Sequence, residues 1–144
     1  MTNDEYELFE KPFRELAMPL MERLRQTLIE AGSFGDMDPV EVVDKDISRG
    51  LGFQSKDEPD LFVELMLEDG DAHGYEGVGL NMCASIWADG VVWSPGNYTE
   101  DVSITAEEEL KLRFEEVDLG SLALLVMQAW DATRERNKQT AVQR

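Results

Sequence analysis

The 144-residue sequence predicts an α+β fold: a mostly antiparallel sheet of five to six strands, with an N-terminal and a C-terminal helix packed on one face. Apolar residues recur at helical spacing near the start, at period two through the middle, and almost continuously near the end. No helical segment separates the middle runs, which argues for a meander and against a parallel sheet with a ligand site at its switch point. The length fits a single domain, 1–144, and 42% apolar residues suffice for an ordinary core.

The first helix runs from Leu8 to about Ala31. Phe9, Phe13, Leu16, Leu20, Leu24 and Leu28 form its stripe, and Ala17 and Met21 widen it. Pro19 should kink or split this helix near Met18, and Gly32 stops it. Residues 33–44 read as a loop leading to the sheet. Ile47, Leu51 and Phe53 then alternate, as do Leu61, Val63, Leu65 and Leu67 against Phe62, Glu64, Met66 and Glu68. A further strand carries Val78, Leu80, Met82, Ala84 and Ile86 on one side, and Gly79, Asn81, Cys83, Ser85 and Trp87 on the other. Asp89-Gly90 signals a hairpin into Val91–Trp93, and a short strand follows around Val102–Ile104.

Residues 107–117 read two ways. Leu110, Leu112 and Phe114 alternate strictly with charged residues, as in a strand. A capping-box pattern at Thr105 and Glu108, with Leu110, Phe114 and Val117, also fits a helix. The strand accounts for every residue, whereas the helix leaves Leu112 outside, so the strand is the expectation. The last helix starts at the cap residue Asp118 and ends near Asn137, with a basic tail frayed from about 138. Its first half is apolar nearly all round and needs cover on a second side. A homodimer through Leu122, Leu125, Val126, Ala129 and Trp130 would supply that cover.

Charge constrains function most. Thirty-one acids against thirteen bases leave a net charge of −18. Residues 36–76 hold thirteen acids and three bases, a net −10. Such a field repels nucleic-acid phosphates and anionic lipid and attracts basic proteins. Direct nucleic-acid binding is therefore the function excluded most firmly. No apolar run has the length of a membrane helix, the N-terminus lacks the pattern of a secretory signal, and the lone Cys83 forms no disulfide framework. A cytoplasmic protein is the expectation.

Arg49 and Gly50-Leu51-Gly52-Phe53 resemble the carboxylate-binding loop of PDZ domains. The following meander lacks the helix of that fold, and the glycines read instead as a twisted or bulged strand. Asp69-Gly70-Asp71-Ala72-His73-Gly74 begins like a calcium loop, but Leu80 stands where the bidentate glutamate belongs. One histidine and one cysteine are too few for a transition-metal site, and Cys83 lies mid-strand, where a thiol packs as a small hydrophobe. No catalytic residues, metal or cofactor follow from the sequence, which leans away from an enzyme.

Two functions remain. The first is a non-enzymatic partner of a basic protein, of the inhibitor, immunity, DNA-mimic or regulator type, using an acidic face of Asp57, Glu58, Asp60, Glu64, Glu68, Asp69 and Asp71. The second is a small apolar-ligand domain with a pocket of Trp87, Trp93, Tyr98, Phe53 and Phe62.

Overall fold

A computed structural model describes residues 3–45, 48–86, 91–94 and 104–142, and among these the chain forms nine elements. They are α1 (Asn3–Ala31), β1 (Glu41–Lys45), β2 (Ser48–Gln54), β3 (Phe62–Asp69), the single turn α2 (Gly70–His73), β4 (Val78–Ala84), β5 (Val91–Trp93), α3 (Glu107–Glu115) and α4 (Leu119–Val142). The sheet order is β1-β2-β3-β4-β5, antiparallel throughout. This is the α+β meander with terminal helices that the periodicity predicts.

One sheet face makes the core. Leu51, Phe53, Val63, Leu65, Leu67, Val78, Leu80, Met82 and Ala84 pack there with Phe13, Met21, Leu24 and Leu28 of α1 and Leu122, Val126 and Trp130 of α4. Two polar contacts fix the helices against the strands: the Tyr6 hydroxyl donates to the Leu67 carbonyl (2.7 Å), and Trp130 Nε1 to the Phe62 carbonyl (3.1 Å). Burial pushes the Tyr6 phenol up to about 12, against the opposing charge of Arg49.

Local outcomes differ from the sequence reading at five places. α1 begins at Asn3 and runs unbroken through Pro12 and Pro19. Pro19 and Glu15, whose carbonyl loses its helical partner, are both exposed, so water can satisfy that carbonyl. The helix stops at Gly32, which adopts φ +78°. β1 occupies part of the stretch read as loop; it is a charged edge strand with little burial, so no apolar alternation marks it.

Residues 107–115 are helical, which corrects the strand expected there. Leu110 is buried and Phe114 packs edge-to-face on Phe13 and Trp93, while Leu112 points to solvent. The strict alternation was incidental, because the core needed only the helical pair four residues apart. Ile86 is exposed instead of continuing the β4 core face, since Ser85 turns the chain with φ +83°. Finally, α4 extends to Val142, beyond the end expected near Asn137. No glycine or proline falls between Asn137 and Val142, and Arg134 and Asn137 hold the second half of the helix to the β2–β3 loop.

Candidate functional site

The acids expected to share one face fall into three places. Asp57, Glu58 and Asp60 lie in the β2–β3 loop, which docks on α4. Arg134 grips Glu58 with Nε at 3.0 and 3.1 Å and with a third bond from Nη2, and it stacks on the Phe34 ring at 4.6 Å. Phe34 in turn meets Trp130 edge-on at 5.1 Å. Asp60 accepts from Asn137 Nδ2 at 3.3 Å, and Asp57 is exposed. Glu58 is thus a brace between a loop and a helix.

Asp69 and Asp71 sit at the β3–β4 connection, where the Asp69 carboxylate accepts from the Asp71 backbone and caps α2. Among the described residues, no group of three or more histidine, cysteine or acidic side chains is placed to hold a metal ion.

Glu64 and Glu68 lie elsewhere, on the sheet face opposite the core. The register puts Gly52, Glu64 and Cys83 in one row of that face, Val43, Gly50, Met66 and Asn81 in the next, and Lys45, Ser48, Glu68 and Gly79 in the third. Among the described residues, the core cluster takes no member from these rows. Yet Met66 and Asn81 are each only 4% exposed. Both line a hollow of that face. A Cβ on Gly50 would lie 1.9 Å from the Leu65 carbonyl oxygen, so β2 approaches β3 more closely than any side chain there allows.

The result is a cavity of about 360 Å3 lined by Lys45, Ser48, Phe62, Glu64, Met66, Glu68, Asn81, Cys83, Ser85 and Ile86. Lys45 reaches across β2 to Glu64 at 2.8 Å. The Cys83 thiol lies 3.9 Å from Asn81 Oδ1. Burial first, and then the charge of Glu64, push that thiol up, with Lys45 opposing, which disfavours the thiolate.

Of the aromatic residues expected to form an apolar pocket, the three that the structure describes do not share one compartment. Trp87 and Tyr98 lie outside the described residues. Phe53 is buried in the core, Trp93 packs on Phe114 at 6.4 Å, and Phe62 projects from the opposite sheet face. Of the residues named for a dimer, Leu122, Val126 and Trp130 are buried within the chain, Ala129 is half-buried and Leu125 is exposed, as is its neighbour Leu124.

Sequence reasoning passed over Asn81, Met66 and Lys45 as site residues. A signal was present: Gly50, Gly52 and Gly79 all belong to the non-core set of their strands, and three glycines on one face hollow it out.

Among the described residues, fold and site together define an acidic α+β meander with one helix-covered face and a hollow on the other. No family model, curated protein or solved structure matches the chain.

Proposed function

We propose that the protein is a non-enzymatic interaction module that engages a basic protein, as an inhibitor, immunity protein, DNA mimic or regulator does. One observation carries this reading. The only three bases of the acidic segment 36–76 are all held on carboxylates of the fold: Lys45 on Glu64 (2.8 Å), Arg49 on Glu10 (2.9 Å) and Asp44 (3.5 Å), and Lys56 on Asp36 (3.1 Å). The segment therefore offers no basic patch of its own.

Such a surface accelerates encounter with a cation-rich partner and discriminates against phosphate polyanions. At ~0.15 M salt, charges beyond about 8 Å are screened, so close contacts must complete recognition.

Affinity capture from the source cell at low salt, followed by binding of the purified partner across a salt series, tests the proposal. The captured proteins should be basic, and affinity should fall by about tenfold or more between ~0.05 and ~0.3 M salt. Capture of partners with no basic excess, or an affinity indifferent to salt, overturns it.

A further inference from the structure

We propose that the exposed face of α4 is the contact of a homodimer in which two α4 helices lie antiparallel, the basic end of each over the acidic α3–α4 turn of the other. This does not rest on the reading of the protein as a partner of basic proteins, and the two stand or fall separately.

Burial divides α4 lengthwise and across. Leu122, Ala123, Val126, Trp130 and Thr133 are buried within their own chain. On the other side, at the spacing of a helix face, Ser121, Leu124, Leu125, Gln128 and Ala132 are exposed. Leu124 is 53% exposed and Leu125 42%. From Leu119 to Trp130 the helix carries no charged residue, in a chain that is 31% charged. Depletion of charge at the centre of an exposed stripe is the compositional mark of an interface. From Glu135 to Thr140 every residue is helical and exposed. Helices in proteins are stabilised chiefly by packing, and a second chain would supply it here.

Charge selects the occupant. The stripe is bounded before it by the exposed acids Glu115, Glu116 and Asp118. After it, residues 131–142 hold three bases against two acids, in a chain of net charge −18. Arg134 is committed to Glu58, which leaves Arg136 and Lys138 as the exposed bases. A uniformly basic or acidic partner would meet like charge at one end of this face. A second copy laid antiparallel meets opposite charge at both ends, whereas a parallel copy sets acid on acid and base on base.

The turn supplies a further reason. Glu115 is the last residue of α3 and Glu116 its C-cap, a place where the helix dipole disfavours acids, and Arg113 reaches Glu116 only at 3.5 Å. Cations from a second copy would offset that. At 1.5 Å per residue, Asp118 and Arg136 stand about 27 Å apart along α4. Their midpoint falls at Met127, inside the exposed stripe, so one two-fold axis there makes the apolar contact and both charged contacts together.

The test uses the purified chain in a Cys83→Ser background with one new cysteine, either Gln128→Cys beside the axis or Gln139→Cys near the helix end. In the antiparallel pair the two copies of position 128 lie roughly 3 Å apart along the helix, and those of 139 roughly 36 Å. In a glutathione redox buffer the first should cross-link at least about tenfold more than the second. In sedimentation equilibrium, Arg136→Glu/Lys138→Glu should weaken the dimer at least about fivefold, as should Glu115→Lys/Glu116→Lys. An equimolar mixture of these two variants should recover it, because both ends of the mixed pair are again complementary. Lys11→Glu/Arg23→Glu on α1, equal in net charge to the first variant, should lose less than about twofold. A wild-type mass of one chain across the micromolar range, equal cross-linking at the two positions, or a mixture no more associated than its components overturns the proposal. The wild-type mass needs no substitution, so a misfolded variant does not obstruct the decision.

Discussion

Gly50→Ala is the substitution that tests the shape of the sheet most directly. The added methyl would lie 1.9 Å from the Leu65 carbonyl oxygen, 2.8 Å from its carbon and 2.9 Å from Met66 Cα, whereas real Cβ atoms essentially never come within 3.0 Å. Every obstructing atom is backbone, so no side chain can rotate away. β2 must move from β3 by about an ångström at its centre. Overpacking of this kind costs roughly 1–3 kcal/mol, and one or two strained ladder hydrogen bonds add about 1 kcal/mol each, for a total near 2–5 kcal/mol.

Gly32→Ala is the matched control. There φ is +78° but nothing lies within 4 Å, so the cost is only the left-handed backbone, about 1 kcal/mol. With a urea slope of roughly 1–3 kcal/mol/M, the two unfolding midpoints should differ by about 1 M or more, read by fluorescence of the buried Trp130. A Gly50→Ala variant no less stable than Gly32→Ala would refute the close approach of β2 to β3, and with it the origin of the concave face.

Three further outcomes are expected. Arg134→Ala should cost about 1–2 kcal/mol in urea unfolding, since it removes both the forked contact with Glu58 and the stacking on Phe34; Arg14→Ala, which loses one exposed pair with Glu10, should cost under ~0.5 kcal/mol, and equal effects would mean that the brace is dispensable. Tyr6→Phe should cost about 1 kcal/mol at neutral pH. Because the folded phenol is raised from 10.0 to about 12, the fold holds a proton that the unfolded chain has released in that window. Wild-type stability should therefore fall as pH rises from about 10 to about 12, and alkaline melts of Tyr6→Phe should lack that component. The homodimer expected from the last helix now depends on the exposed Leu124 and Leu125; sedimentation equilibrium at ~0.15 M salt should return the mass of two chains for wild type and of one for Leu125→Glu, and a wild-type mass of one chain would end the idea.

The elements and the core were legible in the sequence because each follows from a local rule. Period-two alternation from Leu61 to Leu67 and from Val78 to Ala84 placed every core-facing residue of β3 and β4 correctly, since the side chains of a strand can only alternate. The stripe of α1 and the Asp118 cap of α4 were equally local: Ser121 donates its backbone N–H to Asp118 at 3.3 Å, and its backbone and side-chain hydrogen bonds hold that carboxyl below its usual range. The excess of acid was a matter of composition.

What the sequence could not decide was anything that depends on a distant neighbour. Alternation in 107–115 was compatible with strand and helix, and only the packing of Phe114 against Phe13 and Trp93 chose between them. Glu58 and Glu64 look alike along the chain, yet Arg134, seventy-six residues away, turns the first into a brace, while the register of β3 sets the second on an open face. Side-chain period shows which residues share a face of a sheet; it does not show whether that face is flat or hollow. The close approach of β2 to β3 at Gly50 is a backbone event between strands, and the place of the buried Asn81 in a cavity wall depends on residues of three strands brought together.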